Sequence, residues 1–425
     1  MNSGHCVVQC LALLCLVQQA DMARADPTIE ILEDGTELVV QPMPGASMVS
    51  MRYVVHSGSA QDPEGLDGMA HLLEHLIFHG SYELSQRELF RLARDQGAYI
   101  NAFTSRTCTV FALDARPAVL EKLAPIYIQA ITSPVLSEAH IGVERAVVGA
   151  EGLLTQTRDS YWLIQKLLAP SLKTGRSVIG STYSLMGIKR EGLIAFYIDN
   201  YRASNTSIVF AGDIDLPRAR EIAVQYSRLG VDAQGRAPAL PAQDEKLTTP
   251  IQGRARSRVF ATVAGYLLSN DSAAVCEDLA ALADLRLRTA LQFEKPLAET
   301  VVAECLSLAK ERLLVAIVVG RAVDAAEIET SVDRVYESLR TEQLTSAESS
   351  HILGRRRYQQ ASLQTRPAEM AEDLARRLVE AGPPGLRTNL PRWRGSQSLD
   401  GRALRALAAQ SFIPERRVMI IGTPF

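Results

Sequence analysis

Two β-rich runs that meet a glycine, Ser207 to Ile214 (SIVFAGDI, through Gly212) and Val418 to Gly422 (VMIIG), stand 210 residues apart in a chain of 425. Tyr201 and Phe412 hold similar places ahead of them, so two copies of one α+β unit are the architecture that the spacing suggests. Between the copies, residues 230–250 (GVDAQGRAPALPAQDEKLTTP) are polar and rich in Gly, Pro and Ala, the composition of a linker. The length suits two large α/β domains as well as three of average size.

Local patterns fill in each copy. Ile29 to Pro42 carries Asp34-Gly35 between two β-rich runs, a hairpin signal. Val49 to His56 reads as a strand, Leu66 to His79 as a helix, and Ser85-x-x-Glu88 opens a further helix that Gly97 can close. Ile100 to Leu113 returns to strand, followed by helical patterns over Ala115 to Thr132 and Ser137 to Thr157. After the linker, Arg258 to Leu267 reads as a strand, Ser272 to Leu291 as a helix, and Val301 to Val319 as a strand pair.

Hydrophobic residues make up 47% of the chain and charged residues 22%, which excludes disorder, collagen and coiled coil. With a net charge of -3, the total recommends neither nucleic acid nor an anionic membrane as partner. The first segment differs in kind. Cys6 to Val17 is nearly all apolar, too short to span a bilayer, and followed by Ala23-Arg24-Ala25, which reads as a signal peptide over 1–25 cleaved after Ala25. A secreted or periplasmic protein is expected, without an integral membrane segment once mature. Cys108, Cys276 and Cys305 are left, an odd and sparse set that reads as small buried hydrophobes and not as a disulfide framework.

Chemistry concentrates in Gly68 to Gly80 (GMAHLLEHLIFHG). His71 and His75 stand four apart, so on a helix both imidazoles face one way and can take adjacent corners of a tetrahedral Zn²⁺, while Glu74 can reach a water at the open corner. This is the inverted H-x-x-E-H order of a zinc-peptidase class. The bland reading is an amphipathic helix with two satisfied histidines. A third ligand separates the two, and Glu151 is the candidate, with Glu144 seven residues earlier on the same helical face. A solvated acidic face is the commoner fate of such glutamates. His79 shares the face of His71 and His75, so a three-histidine site is a further alternative; His56, His140 and His351 read as ordinary histidines.

The chain resembles the pitrilysin/insulinase zinc peptidases, which include the mitochondrial processing peptidase. The resemblance rests on Gly58-Ser59, GMAHLLEHLIFHG, Gly97 to Ser105 (GAYINAFTS), the Glu144 and Glu151 pair, and Phe210-Ala-Gly-Asp213, and is specific over Ile29 to about Leu229. It implies an α+β fold of two homologous domains, each a mostly antiparallel sheet covered by helices: 26–229 bearing the zinc and 251–425 a non-catalytic copy. It implies one Zn²⁺ per chain on His71, His75 and Glu151, Glu74 as general base, Glu144 as supporting carboxylate, and Asn101 and Ala102 on the edge strand that receives a peptide or unfolded substrate, with Asn101 reaching the scissile region. The activity implied is endopeptidase; the alternative is a non-catalytic structural or binding subunit of the same fold.

The resemblance also implies a partner. In this family the half opposite the zinc supplies an Arg and a Tyr, seven apart, to the substrate carbonyl. The nearest stretch, Leu291 to Glu299 (LQFEKPLAE), puts Gln292 and Glu299 at those positions, with Arg286 and Arg288 close by. A heterodimer with a zinc-free relative that carries the Arg and Tyr is therefore expected.

Overall fold

The computed structural model describes residues 26–81, 84–154, 177–226, 251–256, 260–268, 273–308, 311–388 and 399–423. The signal peptide and the linker expected from the sequence lie outside these residues. The first half runs β1 (Thr28–Ile31), β2 (Glu37–Pro42), β3 (Val49–Val55), α1 (Met69–Ile77), α2 (Gln86–Asp95), β4 (Tyr99–Thr104), β5 (Thr109–Ala115), α3 (Pro117–Thr132), α4 (Glu138–Leu154), α5 (Thr182–Gly187), α6 (Arg190–Asn200), β6 (Thr206–Gly212) and α7 (Leu216–Tyr226). The second half runs β7 (Ile251–Arg256), β8 (Phe260–Leu267), α8 (Ala273–Arg288), a π-helical turn (Thr289–Glu294), β9 (Ala298–Leu308), β10 (Glu311–Gly320), α9 (Ala325–Thr341), α10 (Ser346–Thr365), α11 (Pro367–Thr388), α12 (Gly401–Ser411) and β11 (Arg417–Thr423).

Local chemistry explains several boundaries. The β1/β2 hairpin turns where the Asp34 carboxylate accepts the Thr36 N–H at 2.9 Å. Helix α2 opens with a closed capping box, Ser85 Oγ accepting from Glu88 N and Glu88 Oε2 from Ser85 N. The run Ile100 to Leu113, read from sequence as one return to strand, is a hairpin of β4 and β5. Ser105 Oγ accepts the N–H groups of Thr107 and Cys108 at 3.2 and 3.1 Å, which lets the chain reverse without glycine or proline.

The two sheets share one topology. In the first, the order is β1-β2-β6-β3-β5-β4, and in the second β7-β11-β8-β10-β9. Each has a single parallel pair, β2 with β6 and β7 with β11, and its other neighbours are antiparallel. Strand β1 is the addition in the first sheet. Gly212 and Gly422 fall on the matching strands β6 and β11, so the spacing seen in the sequence marks a real structural repeat.

The chain forms two units, comprising the described residues of Met1–Val148, Val178–Pro241 and Gln360–Leu390, and those of Gly149–Ser177, Ala242–Gln359 and Pro391–Phe425. The two sheets thus fall in different units, while the described residues of 360–390, from the later sequence, belong with the first. On one face of the first sheet Phe111 meets Phe78, which follows α1, at a centroid distance of 6.2 Å, and Phe78 meets Tyr127 of α3 at 6.3 Å. On the other face Val39, Val54, Val110, Val209 and Ala211 pack against Ala371, Leu374, Ala375 and Leu378 of α11. That helix comes from the second half of the sequence. Arg52 on β3 fastens it, pairing with Asp114 at 2.6 Å and with Glu372 at 3.0 Å.

In the second unit, α8, α9 and α12 cover one sheet face through Leu279, Leu287, Val332, Leu339, Leu404 and Leu407. Cys276 of α8 and Cys305 of β9 form a disulfide with Cα atoms 5.8 Å apart. This corrects the reading of both as unpaired hydrophobes; sequence alone gives no pairing, because 28 residues and a helix-to-strand turn separate them. Cys108 is the buried free thiol among the described residues. No helix of the described residues is long and apolar enough to cross a membrane.

Candidate metal centre

Helix α1 begins at a tight approach. Gly68 precedes it at φ +92°, so close to another segment that a Cβ would lie 2.5 Å from the Ile179 carbonyl oxygen. The N–H groups of Gly68 and Ala70 donate to the Asp62 carboxylate at 2.8 and 2.9 Å. Burial pushes the Asp62 pKa up to about 7, while the hydrogen bonds from Ala70 and Gly68 oppose the rise. Met69, Leu72, Leu73, Leu76 and Ile77 are buried, which fixes the helix and sets His71, Glu74 and His75 in place.

The rings of His71 and His75 stand edge to face, 4.8 Å between centroids. Helix α4 is one continuous helix that begins in the first unit, and its last turn carries Glu151. Ligand atoms of His71, His75 and Glu151 lie within 4.8 Å of one another. A tetrahedral zinc with bonds of about 2.0–2.1 Å needs donors about 3.4 Å apart, so small rotations of these side chains close the set. Two imidazoles and a carboxylate are a donor set suited to catalytic zinc, three protein ligands with one position open.

Glu144 stands beside the candidate donors and divides its oxygens. Oε2 accepts from His75 Nδ1 at 2.9 Å, and Oε1 accepts from His79 Nε2 at 2.7 Å. Burial works to raise the Glu144 pKa, but the bonds from His75 and His79 outweigh it and hold the carboxyl below its ordinary value. His79 in turn stacks on His140, 4.1 Å between centroids and 16° between planes. Glu74, buried beside the histidines, accepts the Thr104 hydroxyl on Oε2 at 2.7 Å.

Thr104 ends β4, the edge strand of the sheet. Alternation along the strand puts Ala102 on the same face as Thr104, toward α1, and Asn101 on the opposite face. The Asn101 side chain therefore does not point at the histidines; its carbonyl accepts the Tyr127 hydroxyl at 3.0 Å, which ties the strand to α3.

Sequence reasoning did not single out Thr104, Asp62 or the pairing of His79 with Glu144. Thr104 had a signal, since it lies two residues after Ala102 in a strand pattern. Asp62 had none, because a carboxylate that caps a helix from six residues upstream has no fixed spacing.

In the second unit, Gln292 Nε2 donates to the Glu299 carbonyl at 3.1 Å, so the two positions seven apart do meet across the π-helical turn. Arg286 is held by Glu348 at 2.7 Å and Arg288 by Asp284 at 2.7 Å. Helix α8, which follows β8 as α1 follows β3, contains no histidine.

Residues 38–177 match the family model described as Insulinase (Peptidase family M16), and residues 187–353 match Peptidase M16 inactive domain. The chain belongs to the pitrilysin/insulinase family. Within it, the mitochondrial-processing peptidase subunit beta of Bos taurus is 27% identical over 217 residues, 50% of this chain and 44% of that subunit. The match thus spans less than half of that relative's length. Over 94% of this chain, the fold superposes on a protease from Helicobacter pylori with a TM-score of 0.84 at 19% identity, covering 100% of that chain. A peptidase M16 inactive domain from Pseudomonas fluorescens gives a TM-score of 0.79 at 16% identity, with 94% of this chain and 99% of that one covered. These structural likenesses establish the two-domain fold of the insulinase family.

Proposed function

We propose that this chain is an exported zinc-dependent endopeptidase that cleaves peptides or unfolded segments. The observation that carries the reading is the convergence of His71, His75 and Glu151 within 4.8 Å beside the buried carboxylate of Glu74. A non-catalytic subunit has no use for a complete donor set with a base beside it.

Zinc on His71, His75 and Glu151 would supply a Lewis acid that polarises a peptide carbonyl and makes water nucleophilic near neutral pH. Glu74 accepts the proton that water gives up and returns it to the leaving amine, while Thr104 holds the plane of the Glu74 carboxylate. Glu144, by accepting from His75 Nδ1, selects the tautomer in which Nε2 would be the metal donor. Strand β4 offers its free edge to an extended substrate, with Asn101 contributing backbone groups and Ala102 a small side chain on the α1 face.

The disulfide supports export, because such bonds persist in oxidising compartments. The internal engagement of Arg286 and Arg288 supports a heterodimer, since it leaves Gln292 and Glu299 where an Arg and a Tyr are needed.

Metal analysis of the purified chain, together with cleavage of a quenched peptide, tests the reading. One zinc per chain and hydrolysis abolished by chelator and restored by zinc are expected. A chain that takes up no zinc, or cleaves equally well after chelation, overturns it.

A further inference from the structure

The reading of the zinc site leaves His79 and His140 unused, yet both are built into the wall behind Glu144. His79 sits just past the end of α1, its backbone held by His79 N donating to Leu76 O and Gln86 N donating to His79 O, both at 3.1 Å. The side chain is 11% exposed and that of Glu144 9%, so water competes little for the bond between them. The face of the His79 ring is covered by the ring of His140 at 16°.

A glutamate with one oxygen engaged can still rotate about its last bond, and it keeps part of its rotamer freedom until the second oxygen is held as well. Here both oxygens are held, Oε2 by His75 and Oε1 by His79. From this geometry we infer that His79 is a positioning residue for the metal centre: by clamping Glu144 from behind, with His140 bracing its ring, it fixes the carboxylate that orients His75. The inference rests on the proposed zinc site. Its action is on zinc affinity, through Glu144 and His75, and it requires no contact between His79 and the metal.

The test is zinc affinity by competition with a chromophoric chelator, using the full chain and four variants, alongside thermal melting of the zinc-free proteins. His79→Leu, which fills the space without a donor, should weaken zinc binding about 10-fold, at the low end of the range for partners behind a ligand. His79→Gln, which keeps an N–H donor at similar reach, should recover most of the loss. In a Glu144→Gln background, adding His79→Leu should change affinity less than about 2-fold, because the clamp has nothing left to hold. Wild-type affinity in His79→Leu overturns the inference, as does an equal loss with and without the Glu144 carboxylate. A parallel fall in zinc-free melting temperature that accounts for the whole loss, with no recovery in His79→Gln, also overturns it. A wild-type chain that binds no zinc overturns the metal reading itself, an outcome distinct from those that sink the clamp alone.

Discussion

Thr104, the last residue of edge strand β4, donates its hydroxyl to Glu74 Oε2 at 2.7 Å. The bond joins the strand that would hold a substrate to the group that would move its proton. Glu74→Gln should therefore retain zinc and lose hydrolysis by at least about 100-fold, the scale of a general base. Thr104→Val should keep zinc too and lower kcat by about 10-fold, the scale of a hydrogen bond to a charged group. Zinc content and turnover measured on the same preparations decide both, and a Gln variant that cleaves at the wild-type rate would remove Glu74 from the reaction.

Glu151 and Glu144 should fail differently. Glu151→Gln takes a charged donor from the metal and should cost most of the bound zinc. Glu144→Gln should weaken retention about 10–100-fold while leaving a loadable site. Dialysis against graded chelator reads the difference, and equal, undetectable effects would move the third ligand elsewhere.

The isolated chain should turn peptides over slowly and gain activity from a zinc-free relative that carries the missing Arg and Tyr. Light scattering with peptide cleavage checks this. Full activity from a monomer or homodimer with nothing added would count against the heterodimer.

Helix α11 should behave as part of the first unit. Leu374 is 3% exposed among Val39, Val54 and Val209, so Leu374→Ala should cost about 2–5 kcal/mol in urea unfolding. A fragment of residues 26–229 should not form a soluble folded monomer, because it lacks the cover for that sheet face. Cooperative unfolding of such a fragment would contradict the assignment.

His56 lies 2.7 Å from the Ser207 hydroxyl, which donates to Glu37 at 2.8 Å. Burial lowers the His56 pKa from 6.5 to about 4. The unfolded chain therefore binds this proton first as the medium is acidified. Stability from neutral His56 is fully present above about pH 6.5 and is lost as pH falls toward about 4, at up to about 1.4 kcal/mol per unit. In zinc-free protein, His56→Gln should flatten the slope of unfolding free energy in that window by about one proton. Parallel slopes for variant and wild type would place the acid sensitivity in other groups.

Much of this was readable from residue order. His71 and His75 are fixed by helical periodicity, and Gly212 and Gly422 by their spacing, so the histidine-bearing helix and the repeat both appear as patterns in one dimension. The contributions that escaped depend on a third dimension. Thr104 acts through the face it occupies on β4, and Asp62 through a loop that folds back onto the first turn of α1. Cys276 and Cys305 meet only once α8 lies on β9. Helix α11 was the least legible, since nothing in an amphipathic pattern says which of two sheets it will cover.

That last helix has a consequence for the order of events in synthesis. The sheet that carries the histidine-bearing helix α1 is completed by Leu374 and Leu378, 270 and 274 residues after Thr104 leaves the ribosome. A nascent chain that has made His71, Glu74, His75 and Glu151 still lacks the wall that closes its core. If the chain is exported as proposed, that open state is the one a translocation pore requires. On the proposed peptidase reading, a competent cutting site would be assembled only once α11 has been made, which would spare the compartment of synthesis from a premature protease.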